Sequence, residues 1–283
     1  MTGLDTARIT TVLFDVDGNL FDSEPVALEA SVPVTDRFAE AVGMTERFSP
    51  DSLRVATTGR NFRALATEFA AGTGRWSKPT RGVGEEELDR WVDEENRVVS
   101  EHLRHRLRPD PAVQAAVERI ADRFGVAAVS SSSIARLQAC FAATGLNRFF
   151  PAERCFSAED SLDPPVSKPD PAVYLEALRR LGLRAEQSVA IEDSARGAQA
   201  AVAAGCPTIG NLAFVEPRDR TQREAELLAV GVTAVAASWA EIVDLLDLDP
   251  LPATSDRGPR AAAPAHPDGH RRPPAPINGQ EYR

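Results

Sequence analysis

Asp15 and Asp17 stand two residues apart in Asp-Val-Asp-Gly, directly after the apolar, β-branched run Ile9-Thr10-Thr11-Val12-Leu13-Phe14. Carboxylates this close repel each other, and they burden a buried strand end unless a cation or a reacting group offsets them. The chemistry such a pair points to is that of a bound cation or a reacting group at the strand end. A solvated turn is the plain alternative, since Asp and Gly are common turn residues. A calcium loop is the other, because Asp15, Asp17 and Asn19 fall on its first three ligand positions. That match stops at Leu20, where Gly is needed, and at Val26, where Glu is needed.

Three further groups could share that chemistry. Val126-Ala127-Ala128-Val129 reads as a strand and runs into four serines, Ser130 to Ser133, which supply hydroxyls and free amides or simply cap the next helix. Lys168 is bracketed tightly: Pro169 keeps it extended, Asp170 is a good N-cap and Pro171 a good first helical residue. A lone lysine is usually a solvated charge, but this frame suits one that must aim its ammonium. Ser188-Val189-Ala190-Ile191 reads as a third strand and ends in Glu192-Asp193.

The elements that must position these groups follow an α/β rhythm. Strands at 9–14, 126–129 and 188–191 alternate with helical patterns, and 207–210 and 232–235 offer two more strands before a closing helix around Ile242 to Leu246. In such sheets ligands bind at the carboxyl ends of the strands, where Asp15, Ser130 and Glu192 all fall. Between Glu24 and Leu107 no parallel strand is legible. Helical faces (Val26, Ala27, Ala30, Val34 and Phe38; Phe62, Leu65, Ala66 and Phe69; Leu88, Trp91, Val92, Val98, Val99 and Leu103) predict an all-helical insertion, with Pro33 implying a kink or two helices and 72–84 a loop. The expected organisation is an α/β core from 1–22 and 108–249, a helical cap from 23–107 and a disordered Pro-, Ala- and Arg-rich tail from 250–283, whose His266 and His270 are too isolated to form a site.

Composition narrows the partners. At 283 residues one or two domains are expected. A formal charge of −10 argues against nucleic acid but not against a small phosphorylated ligand in a local basic pocket. Cys140, Cys155 and Cys206 show neither metal spacing nor a disulfide framework and read as core residues of a reducing compartment. The N-terminus carries Asp5 and Arg8 where a signal peptide needs an apolar run, and the uncharged apolar-rich stretch 227–240 falls short of the roughly 18 residues of a membrane span. A cytoplasmic protein that touches no membrane is expected.

In order and spacing, Phe-Asp-Val-Asp-Gly-Asn-Leu-Phe-Asp-Ser-Glu-Pro, Val-Ser-Ser-Ser-Ser, Ser-Lys-Pro-Asp-Pro and Ile-Glu-Asp-Ser-Ala-Arg-Gly resemble the four motifs of haloacid dehalogenase-like phosphatases over about residues 9–249. The nearest subgroup has a helical cap after the first motif and includes phosphoglycolate phosphatase-like and β-phosphoglucomutase-like enzymes. The resemblance implies a Rossmann-like core and a Mg²⁺-dependent hydrolase of a small phosphorylated metabolite. Asp15 is then the nucleophile, and Asp17 the general acid and base. Ser130, Ser131 and Lys168 hold the transferring phosphate. Asp15, Asp17 (through its carbonyl) and Asp193 hold the metal, with Glu192 as ligand or supporting partner. In the cap, Arg60 resembles a substrate-gripping residue, with Arg63 behind it. Asn19 departs from the usual Thr, Val or Ala, with little effect expected because that position contributes its backbone. Mutases of the family carry His where this chain has Ala27, which favours hydrolysis over the phosphomutase alternative. A dehalogenase has no use for Asp17 or a metal, and a silent binding protein has no use for the intact set.

Overall fold

The computed structural model describes residues 4–57, 62–73 and 76–248. Its centre is a six-stranded sheet in the order β3-β2-β1-β4-β5-β6, every neighbouring pair parallel. The strands are β1 Thr11–Phe14, β2 Gly125–Ser130, β3 Cys155–Ser157, β4 Ser188–Glu192, β5 Thr208–Asn211 and β6 Ala234–Ala236. β1 to β3 run out to one side and β4 to β6 to the other, so the chain reverses between β1 and β4. That reversal opens the crevice where doubly wound sheets take ligands.

Successive side chains of β1 and β4 enter opposite layers, as pleating requires. Val12, Phe14, Val189 and Ile191 pack with α5 (Pro111–Ala121), α6 (Ile134–Thr144) and α10 (Trp239–Leu245). Leu13 and Ala190 pack on the other face with α7 (Ala172–Leu181) and α8 (Ala195–Ala203). With both faces covered, the strands can be continuously apolar. α9 (Arg220–Ala229) covers β5 and β6 through Leu227. β3 and α9 were not expected from the sequence: β3 is three residues long, and α9 is mostly polar with one buried side chain.

The helical insertion is α1 (Glu24–Ala41), α2 (Pro50–Thr57), α3 (Phe62–Ala71) and α4 (Glu85–Arg106). α1 is one helix with Pro33 inside it. Phe38, Leu53, Leu65 and Phe69 form the insertion's own core, with Phe48, Trp76 and Trp91 packed around it. α4 begins with Glu85, Glu86 and Glu87 and ends with Arg104, His105 and Arg106, which complements its dipole. Its far end joins the sheet's layer through Val99 and Leu103. The three cysteines are free and buried. Among the described residues no helix is long and apolar enough to cross a membrane. The expected tail lies outside them.

Candidate active site

The loop after β1 turns sharply at Gly18, whose φ is +80° and where a Cβ would stand 2.5 Å from Asp193 Oδ2. Only glycine combines that backbone with that proximity. The turn brings the end of β1 against the end of β4, and three carboxylates meet there: Asp15, Glu192 and Asp193 each offer an oxygen within 4.8 Å of the others.

Lys168 joins them from the loop before α7. Its Nζ donates to Asp15 Oδ1 and Glu192 Oε1, each at 2.7 Å, and to the Val129 carbonyl at 2.8 Å. All three ammonium hydrogens are used. The frame differs from the extended one expected: Lys168 and Pro169 lie in a turn, joined by a cis peptide bond. Asp170 accepts from the Ala172 amide at 2.9 Å, with the helix beginning one residue later than Pro171, and the Arg196 guanidinium holds the Lys168 carbonyl at 2.7 Å. Glu192 is fully buried. It accepts a 2.6 Å bond from Tyr174, and helix α8 closes over it at Gly197, where a Cβ would lie 1.8 Å from Oε2.

One ammonium among three carboxylates leaves the cluster negative. Burial, then the Asp15 charge, pushes Glu192 up to about 7. Burial, then the charges of Asp15 and Glu192, holds Asp193 well above the ordinary range, against the pull of Arg223. Burial also raises Asp15 despite Lys168 beside it. For Lys168 desolvation works against the ammonium, but Asp15 and Glu192 outweigh it and its pKa is raised. This all-oxygen set, short of positive charge, has the chemistry of a site for a hard divalent cation.

Asp17 points elsewhere. Its Oδ1 accepts from Ser23 at 2.9 Å and its Oδ2 from Ser132 at 2.8 Å, while Arg136 Nη2 approaches Oδ1 at 3.8 Å. Its carboxylate is therefore not one of the three clustered acids, and the expected role as a ligand rested on its carbonyl. The serine run divides its work: Ser130 Oγ accepts the Ser132 amide, Ser132 reaches Asp17, Ser133 caps α6, and Ser131 is exposed.

Arg63 pairs with Asp89 at 2.6 Å and is 44% exposed. Arg60 lies outside the described residues. Asn19 corrects the expectation of little effect, because its side chain makes buried bonds of its own. It is completely buried and donates to the carbonyls of Asp15 (2.8 Å) and Ile191 (3.3 Å). Tyr174 and Arg136 were also missed. Tyr174 sits one turn into a helix on an apolar face, and Arg136 reads as a surface cation. Arg136 Nε is nevertheless buried and, among the described residues, has no hydrogen-bond partner, and its charge also bears on Glu95, which burial raises inside the cap.

The family model of haloacid dehalogenase-like hydrolases matches residues 9–205. Protein CbbY (plasmid) of Cupriavidus necator is 37% identical over 90 residues, covering 28% of this chain and about a third (35%) of that protein. Hexitol phosphatase B of Escherichia coli O157:H7 is 26% identical over 84% of this chain and 97% of its own. Among solved structures, CbbY from Rhodobacter sphaeroides in complex with xylulose-(1,5)-bisphosphate superposes with a TM-score of 0.64 at 20% identity, over 82% of this chain and 96% of the other.

Proposed function

Because the chain belongs to the haloacid dehalogenase-like hydrolase family, we propose that it is a Mg²⁺-dependent phosphatase of a small phosphorylated metabolite, of the sugar-phosphate class, working through a phosphoryl group carried on Asp15. A relative named as a phosphatase, and a structural neighbour crystallised with a sugar bisphosphate, support phosphoric monoester hydrolysis. The observation that carries the reading is the meeting of Asp15, Lys168, Glu192 and Asp193 at the crevice between β1 and β4, with Lys168 Nζ 2.7 Å from two of the carboxylates.

Asp15 attacks phosphorus and Asp17 delivers the proton to the leaving oxygen, then takes one from water. The two carboxylates have different surroundings, one against an ammonium and the other held by two hydroxyls, so they can take different roles. Ser130, the Ser131 amide and Lys168 bind the transferring oxygens. Every donor of Lys168 already has a protein acceptor, so a phosphate oxygen must take the place of one of them, and the bond to Asp15 is the one that changes as Asp15 reacts. Asp15, the Asp17 carbonyl and Asp193 would hold Mg²⁺, with Glu192 as a further ligand or as the group that fixes Lys168. When bound, the ion offsets the clustered carboxylates and the phosphate oxygens. Residues 1–22 with 108–249 act as the catalytic core and 23–107 as the cap, in which Arg60, with Arg63 behind it, is the candidate for gripping an anionic leaving group. Ala27 provides no imidazole for the mutase alternative.

With Mg²⁺ and p-nitrophenyl phosphate the protein is expected to release nitrophenol, and Asp15→Asn, folded to the same extent, is expected not to. Equal inertness of the two proteins would sink the enzymatic reading. Conversion of a sugar 1-phosphate to the 6-phosphate without free phosphate would replace it with the mutase. A panel of sugar phosphates ranked by kcat/KM then identifies the substrate.

A further inference from the structure

The last ladder bond between β1 and β4 runs from the Asp15 amide to the Ile191 carbonyl at 3.0 Å. Beyond it the strands end in the residues that carry the acids, Asp15 on one side and Glu192-Asp193 on the other, and the backbone ladder no longer fixes their separation. A pair of buried amides takes over. Asn19 donates one hydrogen to the Asp15 carbonyl at 2.8 Å and the other to the Ile191 carbonyl at 3.3 Å. Its oxygen accepts from Asn211 Nδ2 at 2.8 Å, and Asn211, last residue of β5, accepts the Ala213 amide at 2.9 Å. The chain of bonds thus crosses the carboxyl ends of β1, β4 and β5 in turn.

Both side chains are buried, at 0% and 1% exposure. A buried amide left unsatisfied costs free energy, and matched apolar groups would fill the same space at little or no loss of stability. Two mutually satisfied amides instead impose fixed lengths between named backbone atoms. Those atoms flank the carboxylate cluster. We propose that the Asn19–Asn211 pair is a positioning device for the metal-binding carboxylates, setting the spacing of Asp15 from Glu192 and Asp193. The inference rests on the reading of this cluster as a Mg²⁺ site.

The test compares wild type, Asn211→Ala, the milder Asn211→Ser, and Thr144→Ala. The last deletes another buried hydroxyl bond, from Thr144 to the Cys140 carbonyl at 2.8 Å, on the far end of α6. Mg²⁺ affinity is measured by calorimetry without substrate, thermal midpoint without metal, and kcat and KM for p-nitrophenyl phosphate at saturating Mg²⁺. Loss of a partner that orients metal ligands weakens affinity or activity by about 10–100-fold. Asn211→Ala is therefore expected to bind Mg²⁺ at least about tenfold more weakly with a lowered kcat, Asn211→Ser to fall between it and wild type, and Thr144→Ala to lose stability with unchanged Mg²⁺ affinity. Wild-type affinity in both Asn211 variants overturns the proposal, as does equal weakening in Thr144→Ala, which would make the effect general loosening. A wild type that neither binds Mg²⁺ nor turns over overturns the phosphatase reading as well, so the two failures are told apart.

Discussion

Replacing Lys168 by Met keeps a side chain of similar length and removes the only cation bonded to Asp15 and Glu192 among the described residues. The size of the effect follows from burial. Unit charges about 4 Å apart interact by about 4 kcal/mol at an effective dielectric near 20, and removing one partner of a buried ion pair costs about 3–5 kcal/mol because the other charge is stranded. Lys168 is 7% exposed and Glu192 0%, so solvent offers little relief. The metal-free variant should lose about 3–5 kcal/mol near pH 7.5 by urea unfolding.

The loss should shrink at pH 5. The ammonium does not titrate in this window: its folded pKa is raised, so its stabilisation is complete below the unfolded value of 10.5 and constant between pH 5 and 7.5. The pH dependence of the deficit therefore comes from the carboxylates, which can take up protons once their counter-charge is gone. Mg²⁺ should restore part of the loss at pH 7.5 by supplying positive charge to the same cluster. Turnover of p-nitrophenyl phosphate should fall by at least about 10²–10³-fold, the scale of losing one donor to the transferring group. A variant destabilised by less than about 1 kcal/mol, equally at both pH values, or one with turnover within tenfold of wild type, would refute the reasoning.

Glu192 makes its own prediction for the metal-free wild type. Burial lifts it from 4.5 to about 7, so between those values the folded chain holds a proton that the unfolded chain has released. Stability should fall as pH rises across that window, by about 3 kcal/mol in all, and a flat urea midpoint would count against the assignment. Tyr174→Phe removes the 2.6 Å donor to Glu192 and should cost about 1–3 kcal/mol in urea unfolding, with turnover reduced far less than in Lys168→Met. Mg²⁺ at a hundred times its dissociation constant should stabilise the wild type by about 2.7 kcal/mol and raise its thermal midpoint, and chelation should abolish both that gain and turnover.

Much of the fold was legible because the sheet is buried on both faces. β1, β2 and β4 read as short apolar runs, since nearly all of their residues are buried. The elements that escaped notice lack that signature. β3 is three residues against the flank of β2, and its Cys155-Phe156-Ser157 is too short for any period to register. α9 shows one buried side chain, Leu227, because it covers a sheet edge rather than a layer. The strand order was beyond the sequence as well: the runs themselves do not say that β4 returns beside β1. That return is what brings residues 15 and 192 together.

At the site, legibility divides along another physical line. Residues that break a local rule announced themselves: acids at the end of a buried strand, and a lysine framed by two prolines. Such conflicts between local preference and fold gather where chemistry is done. Residues that break no local rule stayed hidden, whatever their role. Tyr174 looks like any aromatic on an apolar helix face, Arg136 like a surface cation, and Asn19 like a turn residue beside Gly18. Their contributions lie largely across chain separations: Tyr174 to Glu192, Arg136 to Asp17, Asn19 to Asn211. The readable residues carry the proposed reaction and the unreadable ones hold them in place, so substitutions in the second group should shift metal affinity and geometry before they abolish turnover.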